Sequence, residues 1–456
     1  MLLLATASVS CSHRPAVRPH ILLFVWDTCR GDRVSANGYP HPTTPRLEEL
    51  AADGVNFRNC FTPSPWTPPA HASLFTGLLP RTHGLREGMG DMVRPGLPLL
   101  ASTLGAAGYE TVSVSANPNI SVATGLNGGF EFDFPCYRSE DVSVAGEAVR
   151  EQVRRWVRRR KDVRGDSRPV FLFVNLMDTH LPYAFEAEAV SAVRGPGAVP
   201  GAAAAARQVG DLDAKLHLMG RRTIRDTVIA DLGAAYDGAI RRDDRITGEI
   251  LDILREEGIL EDAFVAVTSD HGENLGEHGE LNHALSVYDS VLRVPLVVRW
   301  PGRLEGGRVE DAQVRLQDLY PTILEAAGVP DPAPCGKDAR SLAEVPLLPR
   351  TLVSEYGPMV RSLPAVRAAM PGATEADLAR FSWLYRAVRE APSPSRGRKF
   401  IAVLGPGADG APVTVREELY DTLADPGETR NLLGPGATPD DRADADRMRA
   451  VGEAGR

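Results

Sequence analysis

Residues 20–27 read HILLFVWD, an apolar run with no polar alternation that stops at Asp27. A strand of this kind has to be covered on both faces, as strands are inside a parallel sheet packed between helices. The same pattern recurs twice. Residues 169–176 read PVFLFVNL and lead into Asp178 and His180, while residues 263–269 read AFVAVTS and lead into Asp270 and His271. Open α/β sheets bind their ligands at the carboxyl ends of the strands, and here three such ends each deliver Asp or His. Any one alone would read as a turn former or a helix cap. Together they mark a site.

The segments between these strands carry helical signals. Residues 44–52 form a helix with Pro45 in its first turn, and residues 97–107 one closed by Gly108, with a strand following at 109–115. Residues 139–161 form a long helix whose basic end, VRRWVRRRK, complements the negative end of the helix dipole and solvates an outer face. A long amphipathic helix at 225–258, a strand at 294–300 and a helix at 314–327 closed by Gly328 complete the alternation. The pattern predicts an α/β domain over residues 18–345, with a central, mostly parallel sheet covered by helices. The Ala/Gly-rich stretch 187–225 reads as an irregular surface insertion. After residue 350, short alternating strands at 382–389 and 399–404 precede an acidic Gly/Pro-rich tail, predicting a small antiparallel subdomain within residues 346–456.

Composition narrows the function. The 456 residues are 43% apolar and 24% charged, which is enough for a sizeable core. Lys and Arg number 51 against 60 Asp and Glu, a net charge of −9. No global basic field exists to hold a polyanion, which argues against nucleic acid as a partner. A small anionic substrate remains compatible, since a bound metal can supply positive charge locally. The cysteines, Cys11, Cys29, Cys60, Cys136 and Cys335, show no paired spacing, so neither a zinc ribbon nor a disulfide framework is implied. No apolar run approaches the roughly 20 residues of a membrane helix.

Two chemical signals stand out. Adjacent Asp270 and His271 at a strand end can reach one ion, and a carboxylate–imidazole set suits a divalent metal. In TPSPWTPPAHASLFTG, residues 62–77, a proline-rich loop feeds a helix beginning near Ala70. A hydroxyl at that entrance, Thr67, would face unpaired N–H groups that favour an anion, or would simply cap the helix.

These residues resemble the sulfatase family within the alkaline phosphatase superfamily. The resemblance runs through ILLFVWDTCRGDRVSANGYPHPTTPRLEELAADGVNF, TPPAHASLFTG with LLPRTHG, NLMDTHLPY, YDGAIRRDDRITGEILDIL, VTSDHGENLGEHG, LRVPLVVRWPG and ELYDTLADPGETRNLL, spanning residues 20–434 in the family's order. It implies an alkaline phosphatase-like sandwich with a small C-terminal antiparallel subdomain. It also implies one divalent metal ion, calcium by family habit, with Mn, Zn or Mg as alternatives. Asp27, Asp270 and His271 would be its ligands, with Thr67 completing the set. Thr67 falls at the family's nucleophile position, His180 at that of a leaving-group acid or anion contact, and His283 near a lysine or histidine of similar duty. His278 and His283 could alternatively complete a second metal site.

This sequence departs from the family pattern at three places. Where the family reads Cys or Ser, any residue, Pro, a small residue and Arg, this chain has Thr67, Pro68, Pro69, Ala70 and His71. Threonine cannot be converted to formylglycine, so none is expected. His71 stands in for the arginine, and Thr28 replaces a second metal-binding aspartate. A threonine nucleophile fits phosphoester chemistry, whereas the overall likeness points to sulfate esters. The substrate expectation is therefore a small-molecule or glycan sulfate or phosphate ester. A phospho-group transferase and a non-catalytic binding protein of the same fold are the other readings, although those transferases carry membrane helices and a decayed enzyme should have lost one of these side chains.

The first residues, MLLLATASVSC, resemble the tail of a bacterial lipoprotein signal, in which Cys11 would carry a lipid anchor. The charged n-region is missing and the apolar run is short, so residues 1–17 read equally as an uninformative start. Localisation stays open between export to the periplasm or cell surface and the cytoplasm.

Overall fold

The computed structural model describes residues 18–87, 91–137, 145–162, 167–283, 285–333, 339–360, 363–370, 372–393, 395–407 and 411–454. Cys11 and the proposed lipoprotein segment lie outside these residues, as does the start of the helix expected from 139, which is described from Ala145 to Asp162.

Eight strands form the central sheet, in the order Arg308–Glu310, Val55–Phe57, Leu296–Arg299, Phe264–Thr268, Ile21–Trp26, Val170–Leu176, Glu110–Ser115, Phe132–Pro135. From Phe264–Thr268 to Phe132–Pro135 every pairing is parallel. Every residue of Ile21–Trp26 and Val170–Leu176 is buried, as unbroken apolar runs require. Leu22, Phe24 and Trp26 join one core with the helices Pro45–Ala52, Ala145–Asp162 and Asp226–Glu256. Ile21, Leu23 and Val25 join the opposite core with Thr67–Thr76, Leu100–Ala106 and Leu319–Ala327. The alternation of side chains along one strand thus builds both layers of the sandwich.

The structure corrects three expectations. The strand expected at 294–300 is broken at Pro295. Arg293–Val294 pairs with Cys60–Phe61 in a small separate sheet, and Leu296–Arg299 runs antiparallel to both of its neighbours in the main one. The chain returns from Thr268 to the same layer without a long crossover helix, and such a return has to be antiparallel.

The stretch 187–225 is helical rather than irregular, with Ala187–Arg194, Val199–Gln208 and Asp211–Leu218. Its small residues mark close packing rather than disorder. A Cβ on Gly238 of the long helix would stand 2.5 Å from Val190, so the two backbones approach as closely as glycine allows. The acidic tail ends in another helix, Pro439–Glu453, capped by Thr438, whose hydroxyl accepts from the Asp441 N–H. Ala445 and Met448 are buried in a core shared with the C-terminal sheet.

That sheet is a four-stranded antiparallel meander, Leu352–Tyr356, Leu384–Arg389, Arg398–Pro406 and Pro412–Asp421. It grips the larger domain through charge. Lys399, fully buried, lies 2.8 Å from Asp289 and 2.6 Å from Glu428. Arg389 pairs with the same Asp289 and stacks 4.3 Å over the Phe61 ring. Replacing Lys399 by Ala should cost about 3–5 kcal/mol, because it leaves buried carboxylates unpaired. Urea denaturation of the variant against the parent checks this, and a loss below about 1 kcal/mol would mean that the pair is not what joins the sheet to the domain.

Candidate active site

Four strand ends and one helix converge beneath the sheet's carboxyl edge. Asp27 follows Ile21–Trp26 and is fully buried. Its Oδ2 accepts from Asn117 Nδ2 at 2.5 Å, and its Oδ1 has no hydrogen-bond partner. Asp270 follows Phe264–Thr268. Its Oδ1 accepts from the backbone N–H groups of Thr28 and His271, at 3.1 and 2.8 Å, and its Oδ2 is likewise unpartnered. Burial raises the Asp270 pKa, opposed first by the neighbouring His71.

His271 completes the group. Its Nδ1 lies 3.0 Å from the Gly272 carbonyl, which can only accept, so the ring hydrogen sits there and Nε2 offers a lone pair. Burial holds His271 well below the ordinary histidine range, which keeps the ring neutral. Ligand atoms of Asp27, Asp270 and His271 lie within 4.8 Å of one another, and among the described residues they are the one such group found. Two buried carboxylate oxygens without donors beside an imidazole lone pair fit a divalent cation, since buried anions otherwise pay a heavy desolvation cost.

Helix Thr67–Thr76 delivers the hydroxyl. It begins at Thr67, three residues earlier than expected, and Trp66 is its N-cap with no side-chain bond. Thr67 therefore does not cap the helix. Its Oγ1 lies 3.2 Å from His271 Nε2 instead. The expected bank of free N–H groups is also reduced, because Pro68 and Pro69 have none and the Ala70 N–H bonds Trp66 O at 3.1 Å. The dipole remains but only the Thr67 N–H is left to meet an anion. One turn further on, His71 is fully buried behind the metal-type group, its Nδ1 3.0 Å from Thr67 O and 3.5 Å from Asp270 Oδ2.

The remaining histidines form the other wall. His180 is half-buried and its Nδ1 donates to Leu181 O at 2.8 Å, leaving Nε2 available. Its ring centroid stands 5.2 Å from that of His283, which in turn is 4.5 Å from His271 and 5.8 Å from Trp66. His283 Nδ1 lies 3.3 Å from Glu273 Oε1. Burial pushes Glu273 up to about 8 and His283 down to about 3, so near neutral pH this is an uncharged acid beside an uncharged imidazole.

Three sequence candidates fall elsewhere. His278 stacks on Tyr288 with centroids 3.6 Å apart and does not join a second metal group with His283. Asp178 lies in the turn beyond the strand Val170–Leu176 and faces Arg242 Nε at 3.3 Å rather than the metal-type group. Thr28, where a second aspartate was expected, turns its hydroxyl to the Thr179 carbonyl and contributes only its N–H to Asp270. Asn117 and Glu273 were missed. Asn117 follows strand Glu110–Ser115 and obeys the same strand-end rule, but its amide gave no chemical alarm. Glu273 lies in the glycine-rich run after His271, where a carboxylate reads as loop.

The sequence model described as Sulfatase matches residues 19–329, more than half of the chain. The chain belongs to the sulfatase family. Sulfatases hydrolyse sulfuric esters, and this chain is an ester-hydrolase-family member by descent. It is 25% identical over 374 residues to the arylsulfatase of Clostridium perfringens, covering 69% of this chain and 76% of that one. It is 24% identical over 390 residues to the N-acetylgalactosamine-6-sulfatase of Canis lupus familiaris, covering 73% of this chain and 66% of that enzyme. Among solved structures, a 2-O GAG sulfatase superposes with a TM-score of 0.71 at 18% identity, covering 96% of this chain and 91% of that one. The phosphonate monoester hydrolase of Agrobacterium radiobacter gives 0.69 at 20%, covering 96% of both. These likenesses carry the alkaline phosphatase-like fold.

The metal assignment makes a thermodynamic prediction. Asp270→Asn should leave the metal-free protein at least as stable as the parent, because it removes a buried charge. It should also abolish stabilisation by divalent cations, about 2.7 kcal/mol for a ligand at a hundred times its Kd. Thermal melts with and without calcium, manganese and zinc measure both, and an undiminished metal response in the variant refutes the assignment.

Proposed function

We propose that this chain is a divalent-metal-dependent hydrolase of sulfuric or phosphoric esters in which Thr67 is the nucleophile. The observation that carries the reading is the direction of the Thr67 hydroxyl, which meets His271 at the metal-type group rather than its own helix. Asp27, Asp270 and His271 would hold the cation. Their two carboxylates suit a hard ion such as calcium or magnesium, while the imidazole also admits manganese or zinc. A cation bound there would supply charge to screen the ester's anionic oxygens and to acidify the Thr67 hydroxyl.

Thr67 Oγ, having lost its proton to solvent water, would then form a bond to phosphorus or sulfur as the bond to the departing alcohol breaks. His180 keeps one ring hydrogen on Nδ1 for Leu181 O, so in its imidazolium form Nε2, at the open wall, would carry the second proton and give it to that alcohol oxygen. His283, held by Glu273 and stacked toward His271, would border the transferred group. His71 replaces part of the family arginine's role from behind, by orienting Thr67 through its carbonyl. Water must release the group from Thr67 by attack at the same central atom, a route open to a phosphothreonine. Formylglycine releases sulfate by elimination, which threonine cannot do. Phosphoesters and phosphodiesters are therefore the favoured substrates within this class.

Thr67→Ala should lower kcat for 4-nitrophenyl phosphate or its phosphodiester by at least about 10³-fold with little change in melting temperature. A merely destabilised but active variant would return Thr67 to a structural role. Wild-type protein that cleaves 4-nitrophenyl sulfate faster than the phosphoesters would overturn the phosphoester preference while leaving the site intact. Thr67→Cys, made in a host that installs formylglycine, should shift activity toward the sulfate ester.

A further inference from the structure

A large cleft lies apart from the ester site. A cleft of about 1030 Å³ opens between the outer side of the Thr67 loop and the C-terminal sheet, and none of Thr67, His71, His180, Asp270, His271 or His283 lines it. Ser64 and Pro69 form its near wall. Its surface has two characters. Pro69, Pro80, Pro358, Leu384, Leu404 and Pro406 make it largely apolar, and Val360 at its edge is 57% exposed. Against that wall stand four arginines, Arg81, Arg86, Arg94 and Arg386, with Glu355 as the one carboxylate of the lining.

Arg386 is satisfied by Glu355 at 2.7 Å. Arg86 and Arg94 are different, because among the described residues no carboxylate lies within ion-pair distance of either guanidinium. Asp91, three residues before Arg94, spends its Oδ2 on the backbone N–H groups of Arg86 and Glu87. Two guanidiniums thus face one largely apolar cleft without a carboxylate at ion-pair distance among the described residues. Their field also reaches inward. Buried His83 is held down to about 3 by burial first, and the charges of Arg86 and Arg94 add to the shift.

We propose that this cleft is a second binding site, separate from the ester site, for an organic anion that combines an apolar or flat ring body with a sulfonate-, sulfate-, phosphate- or carboxylate-type group. The body would lie on the proline and leucine wall, and the anion would bridge Arg86 and Arg94. Neither half suffices, since an inorganic anion gains no apolar burial and a neutral body gains no charge pairing.

The test uses the full chain and three probes: 8-anilinonaphthalene-1-sulfonate, the neutral N-phenyl-1-naphthylamine, and inorganic sulfate. The sulfonate should bind one per chain, at least tenfold more tightly than the neutral probe, and sulfate at the same concentrations should not displace it. Arg86→Ser with Arg94→Ser, both at exposed positions, should weaken the sulfonate at least tenfold and leave the neutral probe and the hydrolysis of 4-nitrophenyl esters unchanged. Slowed hydrogen exchange across residues 80–87 and 91–94 on sulfonate binding locates the ligand. The proposal fails if the double variant binds the sulfonate within twofold of the parent, if the neutral probe binds equally well, or if protection appears elsewhere.

Discussion

Two carboxylates, Asp27 and Asp270, are buried together with one oxygen each left bare, and the surrounding structure is arranged to hold them there. Each uses its second oxygen as an anchor, Asp27 on the Asn117 amide and Asp270 on two backbone N–H groups. One of those N–H groups belongs to Thr28, whose φ of 66° is in the left-handed region that β-branched residues avoid. Such a backbone costs on the order of 1–3 kcal/mol and persists only where its surroundings over-determine it. They do so here. The Thr28 hydroxyl bonds Thr179 O, its N–H bonds Asp270, and its carbonyl accepts from Tyr236 of the long helix at 2.6 Å. Threonine in place of an aspartate thus removes one charge from the site and adds a hydroxyl that ties down the turn.

The support reaches further down. Thr179 Oγ1 stands 2.6 Å from the Asp27 carbonyl and 3.0 Å from Asp243, while burial raises both Asp243, to about 7, and Asp178. A carboxyl pair of this kind can share a proton, which spares the interior one negative charge beneath Asp27.

Much of this was legible in the sequence for a physical reason. Unbroken apolar strands can exist only in a covered sheet, so HILLFVW, PVFLFVNL and AFVAVTS located the sheet, and the polar residues ending them located Asp27, His180, Asp270 and His271. The same rule could not distinguish Asp178 from His180, because both lie in the turn beyond Leu176, where strand alternation no longer decides which way a side chain faces. Composition misled at 187–225, where alanine and glycine serve close helix packing. It misled again at the tail, although the Thr438–Asp441 capping box was there to be read. The onset of helix Thr67–Thr76 was placed late because two prolines look like loop, whereas at the second and third helical positions they cost nothing: their missing N–H groups would have had no partner.

The C-terminal sheet bears on the chemistry although it supplies none of the groups around Asp27. The segment that carries His271 and His283 turns back on itself, with Gly272 N bonded to Val291 O and Glu273 N to Ser290 O. At its base, Asp289 is held by Lys399 and Arg389 from the C-terminal sheet, and its own N–H is taken by Glu428 at 2.6 Å. At its tip, Glu277 is held by buried Arg30, which also donates to Glu273 O and pairs with Asp32. One arm comes from the loop after the Asp27 strand and the other from a different sheet. Groups that must act together within a fraction of an ångström need rigid support from more than one direction. A loop of glycines and acids could not supply that alone, so the second sheet helps fix where His271 and His283 stand relative to Thr67.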